Sequence, residues 1–272
     1  MPLFDTHAHF SKIGGDYSLE AQITRAREAG VTRIIAVGGS CELNKAAVDA
    51  ATAYPDMLRV ALGFDRDQIE ELNTPEAQHG ALERLHLAIR QLPTRGVHVA
   101  AIGEIGLDYF YSQETAEQQQ SLFRKQLAFA NDVQLPVVIH SRDADTDTLS
   151  ALKDHARSWK GDSNRIGVLH CFTRDAAFAS ELVSLGYHIS FSGIVSFLNA
   201  DSLREVAKMI PEDRILIETD SPHLAPAPMR GKRNEPGFVL HVAERLAEVR
   251  SIEVEALAQQ TYTNGTHLFG WE

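Results

Sequence analysis

Six residues with metal-binding side chains recur near the ends of short apolar runs. "FDTHAHF" (4–10) carries His7 and His9, and "VAAIGEIG" (99–106) carries Glu104. "PVVIHSR" (136–142) carries His140, "IGVLHCF" (166–172) carries His170, and "RILIETD" (214–220) ends in Asp220. Alternate residues of a strand share a face, so His7 and His9 project together. Four imidazoles and two carboxylates exceed what one four-coordinate zinc needs. The surplus points to two divalent ions with Glu104 as the bridge: His7, His9 and Asp220 around one, His140 and His170 around the other. Nitrogen and oxygen donors without thiolate suit zinc, manganese or magnesium and do not choose among them. Each residue alone also has a plainer role, as a satisfied core histidine or a helix-capping carboxylate. Their recurrence at one end of several strands is what sets them apart.

Elements must bring these residues together. The apolar runs 3–7, 33–39, 58–64, 99–106, 136–142, 166–172, 187–193 and 214–220 read as eight strands. Between them lie helix-like segments over 18–29, 43–53, 75–92, 114–133, 144–158, 175–185 and 201–209, with a last helical region over 236–268. Ser18 and Thr74 precede acidic first turns, as N-caps do, and Gly30 and Gly186 close helices as C′ glycines do. Near-continuous apolar strands alternating with helices predict a parallel sheet covered on both faces. Eight such units close most simply into a single (β/α)8 barrel over residues 1–272; an open doubly wound sheet is the alternative. No GxGxxG follows the first strand, which weakens a dinucleotide fold. In a barrel the chemistry sits at the C-terminal ends of the strands, where the six residues fall. His79, His86, His155, His241 and His267 fall in helical segments and read as surface residues, while His98 and His188 belong at the opposite end of the barrel. Cys171, next to His170 in the same run, is expected to face away from the interior and is excluded as a ligand.

Composition places the chain among ordinary globular proteins: 272 residues, 44% hydrophobic and 23% charged, with no apolar run near the roughly 20 residues of a membrane span. No basic segment leads an apolar one at the N-terminus, so no secretory signal is expected. The two cysteines, Cys41 and Cys171, form no CxxC pair and read as free thiols of a reducing cytoplasm. A net charge of −11 excludes a protein that coats DNA by long-range attraction. It leaves room for an enzyme that takes one nucleic-acid end into a local cationic pocket.

The stretches "FDTHAHF", "IGEIGLDYF", "PVVIHSRDA", "LHCF", "IETDSPHLAPAPMRGKRNEP" and "TYTNGTHLFG" run from residue 4 to residue 270. Together they resemble the TatD family of metal-dependent deoxyribonucleases, within the amidohydrolase-like metal barrels. The resemblance implies that His7, His9, Glu104, His140, His170 and Asp220 are metal ligands. It also implies hydrolysis of phosphodiesters in DNA, commonly from the 3′ end, with nucleic-acid ends or single strands as the partner. No membrane and no obligate protein partner are expected. Related barrels hydrolyse amides and esters, including D-aminoacyl-tRNA, and a non-catalytic metal-binding scaffold is a third possibility.

Where the family usually shows "GxHP", this chain reads "GFDR", with Asp65 and Arg66 in place of histidine and proline. A carboxylate there would repel phosphate, and Arg66 would compensate. Arg174 in "HCFTRD" and His223 in "DSPH" also depart from the usual residues. Arg174 either touches a phosphate or opens the next helix from solvent; His223 is a candidate donor to substrate. "MRGKRNEP" adds Arg230, Lys232 and Arg233, a local positive cluster or a solvated loop. Arg142 contacts a phosphate or pairs with Asp143 or Asp108. Asp108 and Tyr109 fit support for the Glu104 loop. Asp220 is expected to orient an attacking water and take its proton, with Glu104 as the second catalytic carboxylate.

Overall fold

A computed structural model describes residues 1–10 and 14–271. The first half of the chain runs β1 (Leu3–Ala8), α1 (Leu19–Glu28), β2 (Val31–Gly39), α2 (Cys41–Ala53), β3 (Leu58–Phe64), α3 (Pro75–Gln91), β4 (Val99–Asp108) and a short α4 (Tyr109–Ser112). It continues with α5 (Ala116–Val133), β5 (Val137–Arg142), α6 (Asp145–Ser158), β6 (Gly167–Leu169), α7 (Ala176–Ser184) and β7 (His188–Phe191). The last elements are α8 (Asp201–Met209), β8 (Ile215–Ile217), α9 (Val239–Arg250) and α10 (Val254–Leu268). The eight strands form one parallel sheet in the order β1 to β8, as the alternation of apolar and amphipathic segments predicts. Backbone bonds just beyond β8 close the ring against β1: Asp220 N donates to His7 O at 2.9 Å and His9 N to Ser221 O at 2.8 Å. The open doubly wound alternative is set aside.

The helix signals hold. Ser18 Oγ accepts from Ala21 N at 3.3 Å and Thr74 Oγ1 from Ala77 N at 3.2 Å. Gly30 and Gly186 take φ of 88° and 94°, a left-handed geometry natural to glycine. Several boundaries differ from the sequence expectation. The strands predicted over 166–172, 187–193 and 214–220 are shorter, because the chain turns before reaching the end of each apolar run. Cys171 and Asp220 adopt φ of 46° and 57°, which ends strand geometry and lifts the flanking side chains into the barrel mouth. The region 236–268 divides into α9 and α10 at Ser251, whose φ is 55°.

Alternate strand residues pack in two directions. Leu3, Ile34, Val60, Ile102 and Ile217 join a large core with the surrounding helices. Phe4, Ile35, Ala61, Ala101, Val138, Val168 and Leu216 pack together with Phe269 and Trp271. Near the N-terminal end of β1, the Phe4 ring meets Trp271 edge-on at 5.4 Å, and Arg33 and Arg59 stack on that indole at 5.3 and 4.6 Å. The C-terminal tail thus seals one end of the barrel and leaves the other for chemistry. Among the described residues, no helix is long and apolar enough to cross a membrane.

His155, expected at the surface, is 3% exposed; its helix turns that position inward, where Nδ1 lies 2.6 Å from the Tyr187 hydroxyl. His86 is also only half exposed, packing on Phe129 at 4.9 Å. Burial pulls the His155 pKa down to about 4. The unfolded chain therefore takes up a proton there that the folded chain refuses. Stability from this residue is complete above about pH 6.5 and is lost as pH falls toward 4, by about 3 kcal/mol. His155→Gln is expected to show a shallower drop in Tm over that window than the unaltered protein, measured by thermal denaturation at several pH values; parallel curves would disprove the assignment.

Candidate metal centre

The six predicted residues meet at the mouth of the barrel. Glu104 stands in the middle. One of its oxygens, Oε1, lies 3.3 Å from His140 Nδ1 and 3.2 Å from His170 Nε2. The other, Oε2, lies 3.4 Å from both His7 Nε2 and His9 Nε2. Asp220 Oδ1 is 3.8 Å from those same two nitrogens, and His7 Nε2 and His9 Nε2 approach to 3.1 Å. Two sets of three potential ligands emerge: His7, His9 and Asp220, and His7, Glu104 and His170. The first matches the grouping expected from sequence. The second brings in His7, whose ring stacks on His170 at 3.9 Å, while the expected pairing of His140 with His170 is equally close, with His140 Nδ1 3.4 Å from His170 Nε2 and 3.3 Å from Glu104 Oε1.

These spacings fit metal coordination. Bonds of about 2.0–2.2 Å in a tetrahedral set place neighbouring donors roughly 3.3–3.6 Å apart. The imidazoles are also presented correctly. His9 Nδ1 faces Val37 O at 3.0 Å, His140 Nε2 faces Asp108 Oδ2 at 3.0 Å, and His170 Nδ1 faces Glu218 Oε1 at 3.3 Å. A ring N–H on each outer nitrogen leaves the inner nitrogen with a free lone pair aimed into the cage. His7 differs: its Nδ1 is buried without a hydrogen-bond partner among the described residues.

The electrostatics point the same way. Burial alone would raise Glu104, but His170, His140 and His7 outweigh it and hold the carboxyl well below its usual range. Burial opposes charge on His170, yet Glu104 and Glu218 lift it well above an ordinary imidazole. His9 and His140 are also raised against their burial, His9 chiefly by Glu104 and His140 by Asp108 and Glu104. His7 alone is lowered, by burial and by His170. The cluster favours positive charge at its centre, a demand that a divalent cation would meet through the inner imidazole lone pairs.

Three neighbours escaped the sequence argument or were misplaced by it. Glu218 is buried beneath His170 and also accepts from Cys171 N at 2.6 Å; its position two residues before Asp220 was the available signal. Asp5 is fully buried, accepts from the Thr219 hydroxyl at 2.6 Å, and is pushed up to about 8 by burial. Cys171, expected to face away, lines the central cavity with Sγ 3.2 Å from Ser192 Oγ. The run leaves strand geometry before reaching it, so alternation no longer sets its direction. It belongs to neither set of potential ligands.

The cavity above the cluster measures about 1030 Å³, and Asp65, Arg66, Arg142, Arg174 and His223 help line it. Arg174 is held by Asp145 Oδ2 at 2.9–3.0 Å; it lines the cavity and directly precedes Asp175, the N-cap of α7. Arg142 lies over Phe110 rather than pairing with an acid. Arg230 and Lys232 are exposed and, among the described residues, stand outside the cavity lining; Arg230 stacks on Phe197 at 4.3 Å. Asp108 and Tyr109 do support the site, Asp108 through His140 and Tyr109 through a 2.8 Å bond to Asp147.

A closed parallel barrel with this cluster at the strand ends defines a hydrolase of the metal-dependent barrel class. A profile of the family described as TatD related DNase matches residues 4–270, and the chain belongs to that family of metal-dependent hydrolases. It is 38% identical to the metal-dependent hydrolase YabD of Bacillus subtilis (strain 168), over 98% of each chain. It is 48% identical to the metal-dependent hydrolase YcfH of Escherichia coli (strain K12), over 63% of each. Among solved structures, the TatD homolog YJJV of Escherichia coli superposes with a TM-score of 0.86 at 32% identity, over 98% of each chain.

Removing the Glu218 charge tests how far the cage depends on support from outside it. Glu218→Gln is expected to weaken divalent-cation binding by about 10- to 100-fold, read by calorimetric titration of chelator-stripped protein, with the circular-dichroism spectrum unchanged. Unaltered affinity would show that His170 needs no such partner.

Proposed function

We propose that this chain hydrolyses phosphodiester bonds in DNA, acting at the 3′ end of a single strand and working in the cytoplasm. The observation that carries the reading is the double engagement of Glu104, one oxygen toward His140 and His170 and the other toward His7 and His9. A carboxylate so placed suits a pair of divalent cations, with His7, His9 and Asp220 holding one, His140 and His170 the other, and Glu104 both. Bound zinc, manganese or magnesium would supply Lewis acidity toward water and toward a phosphoryl oxygen.

The chain's own residues supply the rest. The Asp220 carboxylate orients the attacking water and accepts its proton. Arg66 and Arg142 bring positive charge to the cavity wall of an otherwise acidic protein, which suits a phosphate ester better than a neutral amide. Arg66 Nε is buried and makes no hydrogen bond among the described residues; Asp67 and Asp108 stand 3.4 and 3.5 Å away. An unsatisfied buried donor is costly, and a phosphate oxygen entering the cavity would satisfy it. His223, also in the lining, is a candidate donor to substrate. Asp65 also lines the wall, and its carboxyl favours a scissile bond that carries no charge of its own, such as the ester of an aminoacyl-tRNA.

A labelled single-stranded oligonucleotide is expected to shorten in the presence of the protein. Chelation should stop the reaction, and Mg²⁺, Mn²⁺ or Zn²⁺ added separately should restore it. Glu104→Ala is expected to lower the rate by roughly 10³-fold or more while remaining folded. Hydrolysis of aminoacyl-tRNA or amides with the oligonucleotide left intact would overturn the assignment.

A further inference from the structure

Two large side chains at the cavity wall have no part in the hydrolysis described above. Phe110 and Tyr111, in α4, are 56% and 63% exposed, an uncommon state for adjacent aromatic rings in a folded protein. Their rings meet edge to face at 4.8 Å and 88°. The Arg142 guanidinium lies over Phe110 at 3.7 Å from the ring centroid and 5.1 Å from that of Tyr111. Arg142 Nη1 also donates to the Tyr111 hydroxyl at 3.4 Å. All three line the cavity that contains Glu104 and His140.

Their position is tied to the cage. Asp108 Oδ1 accepts from Phe110 N at 3.0 Å, and its other oxygen accepts from His140 Nε2 at 3.0 Å. One carboxylate therefore fixes both the start of α4 and the orientation of a metal-site histidine. Tyr109 anchors the same segment to Asp147, and Gln120 donates to the Tyr109 hydroxyl at 2.9 Å.

We propose that the stacked pair of Phe110 and the Arg142 guanidinium, with Tyr111 standing edge-on beside it, forms a stacking platform for one unpaired nucleobase, seated beside the bond to be cut. The inference rests on the phosphodiester reading and deepens it, because it makes unpaired strands the preferred substrate. A free base offers a flat π-face that stacks on aromatic rings and guanidinium planes with little regard to sequence. A base inside a duplex has both faces covered by its neighbours and must be unstacked first. The Arg142 plane serves the base while its charged edge serves the adjacent phosphate, so one residue joins the two recognitions.

The test uses two single-stranded oligonucleotides that differ only in whether the terminal nucleotide carries a base or is abasic. In the unaltered protein, KM for the base-bearing end is expected to be about ten-fold lower. The double variant Phe110→Ala, Tyr111→Ala is expected to bring the two KM values together, and Phe110→Tyr to retain the difference. Equal KM values in the unaltered protein, or a ratio that survives the double variant, overturn the platform. A terminal 2-aminopurine supplies a readout independent of cleavage: its fluorescence should be quenched on binding, and less so in the double variant. Quenching without cleavage of either oligonucleotide would keep the base site and remove the phosphodiester reading. Absence of both would remove the platform as well.

Discussion

A carboxylate buried among four imidazoles is stable only if charge stays balanced around it, and Glu104 imposes that condition on the mouth of the barrel. Its contacts reach His7, His9, His140 and His170. Desolvation would favour a protonated acid, whereas the imidazoles keep it ionised and become more basic themselves. Neither side is tolerable alone in a low-dielectric site, since losing one partner leaves the other charge unpaired. The outward bonds of His140 to Asp108 and of His170 to Glu218 extend the balance by one layer. The backbone accommodates it too: Gly106 sits at φ 150°, and a Cβ there would fall 1.9 Å from His140 O. Glycine lets β4 lie close enough to β5 for Glu104 Oε1 to approach His140 Nδ1.

The seam that closes the barrel is part of the same arrangement. Asp220 N and His9 N make the backbone bonds joining the segment beyond β8 to β1. Beneath them, Asp5 accepts from Thr219 through both backbone and hydroxyl. Ring closure and placement of His7, His9 and Asp220 are therefore one structural event. The opposite end is sealed by Phe4, Trp271 and their stacked arginines, so strain needed at the mouth is borne by a barrel anchored elsewhere.

Much of this is legible in the sequence because it depends on period and position. The alternation of apolar runs and amphipathic segments specifies a parallel barrel, and residues at run ends specify the mouth. Alternation fails where a strand stops early. Cys171 lies beyond such a stop, and its direction follows from a φ of 46° that its residue type does not announce. Glu218 carries no signal of its own beyond lying two residues before Asp220, and only its contact with His170 reveals its supporting place. His155 shows that a histidine in a helical segment is placed by the face it occupies, since Tyr187 draws it inward. The cationic side chains around the cavity were least legible. Arg230 and Lys232 form a charged run in sequence, but loop geometry, which has no period, decides which cation reaches the cavity.

The wall shows why bulk charge is a poor guide to what this cavity accepts. The chain carries a net charge of −11, yet fields from surface charges are screened over about 8–10 Å in salt. A group entering the cavity responds mainly to what lines it. There Asp65 is engaged, with Oδ1 accepting from Asp67 N at 2.8 Å, and burial together with Glu104 pushes its carboxyl up to about 7. Its repulsion toward an anion is weaker near neutral pH than an exposed aspartate's would be. Arg66 and Arg142 stay cationic under all ordinary conditions. With Asp65 and Arg66 in place of the histidine–proline pair, the wall mixes carboxylates with the guanidinium groups of Arg66, Arg142, Arg174 and Arg233, so local cations are available inside an acidic protein. Those arginines are local and fixed, whereas the acidic outer surface acts only through a screened field, so what enters the cavity is decided by short-range contacts.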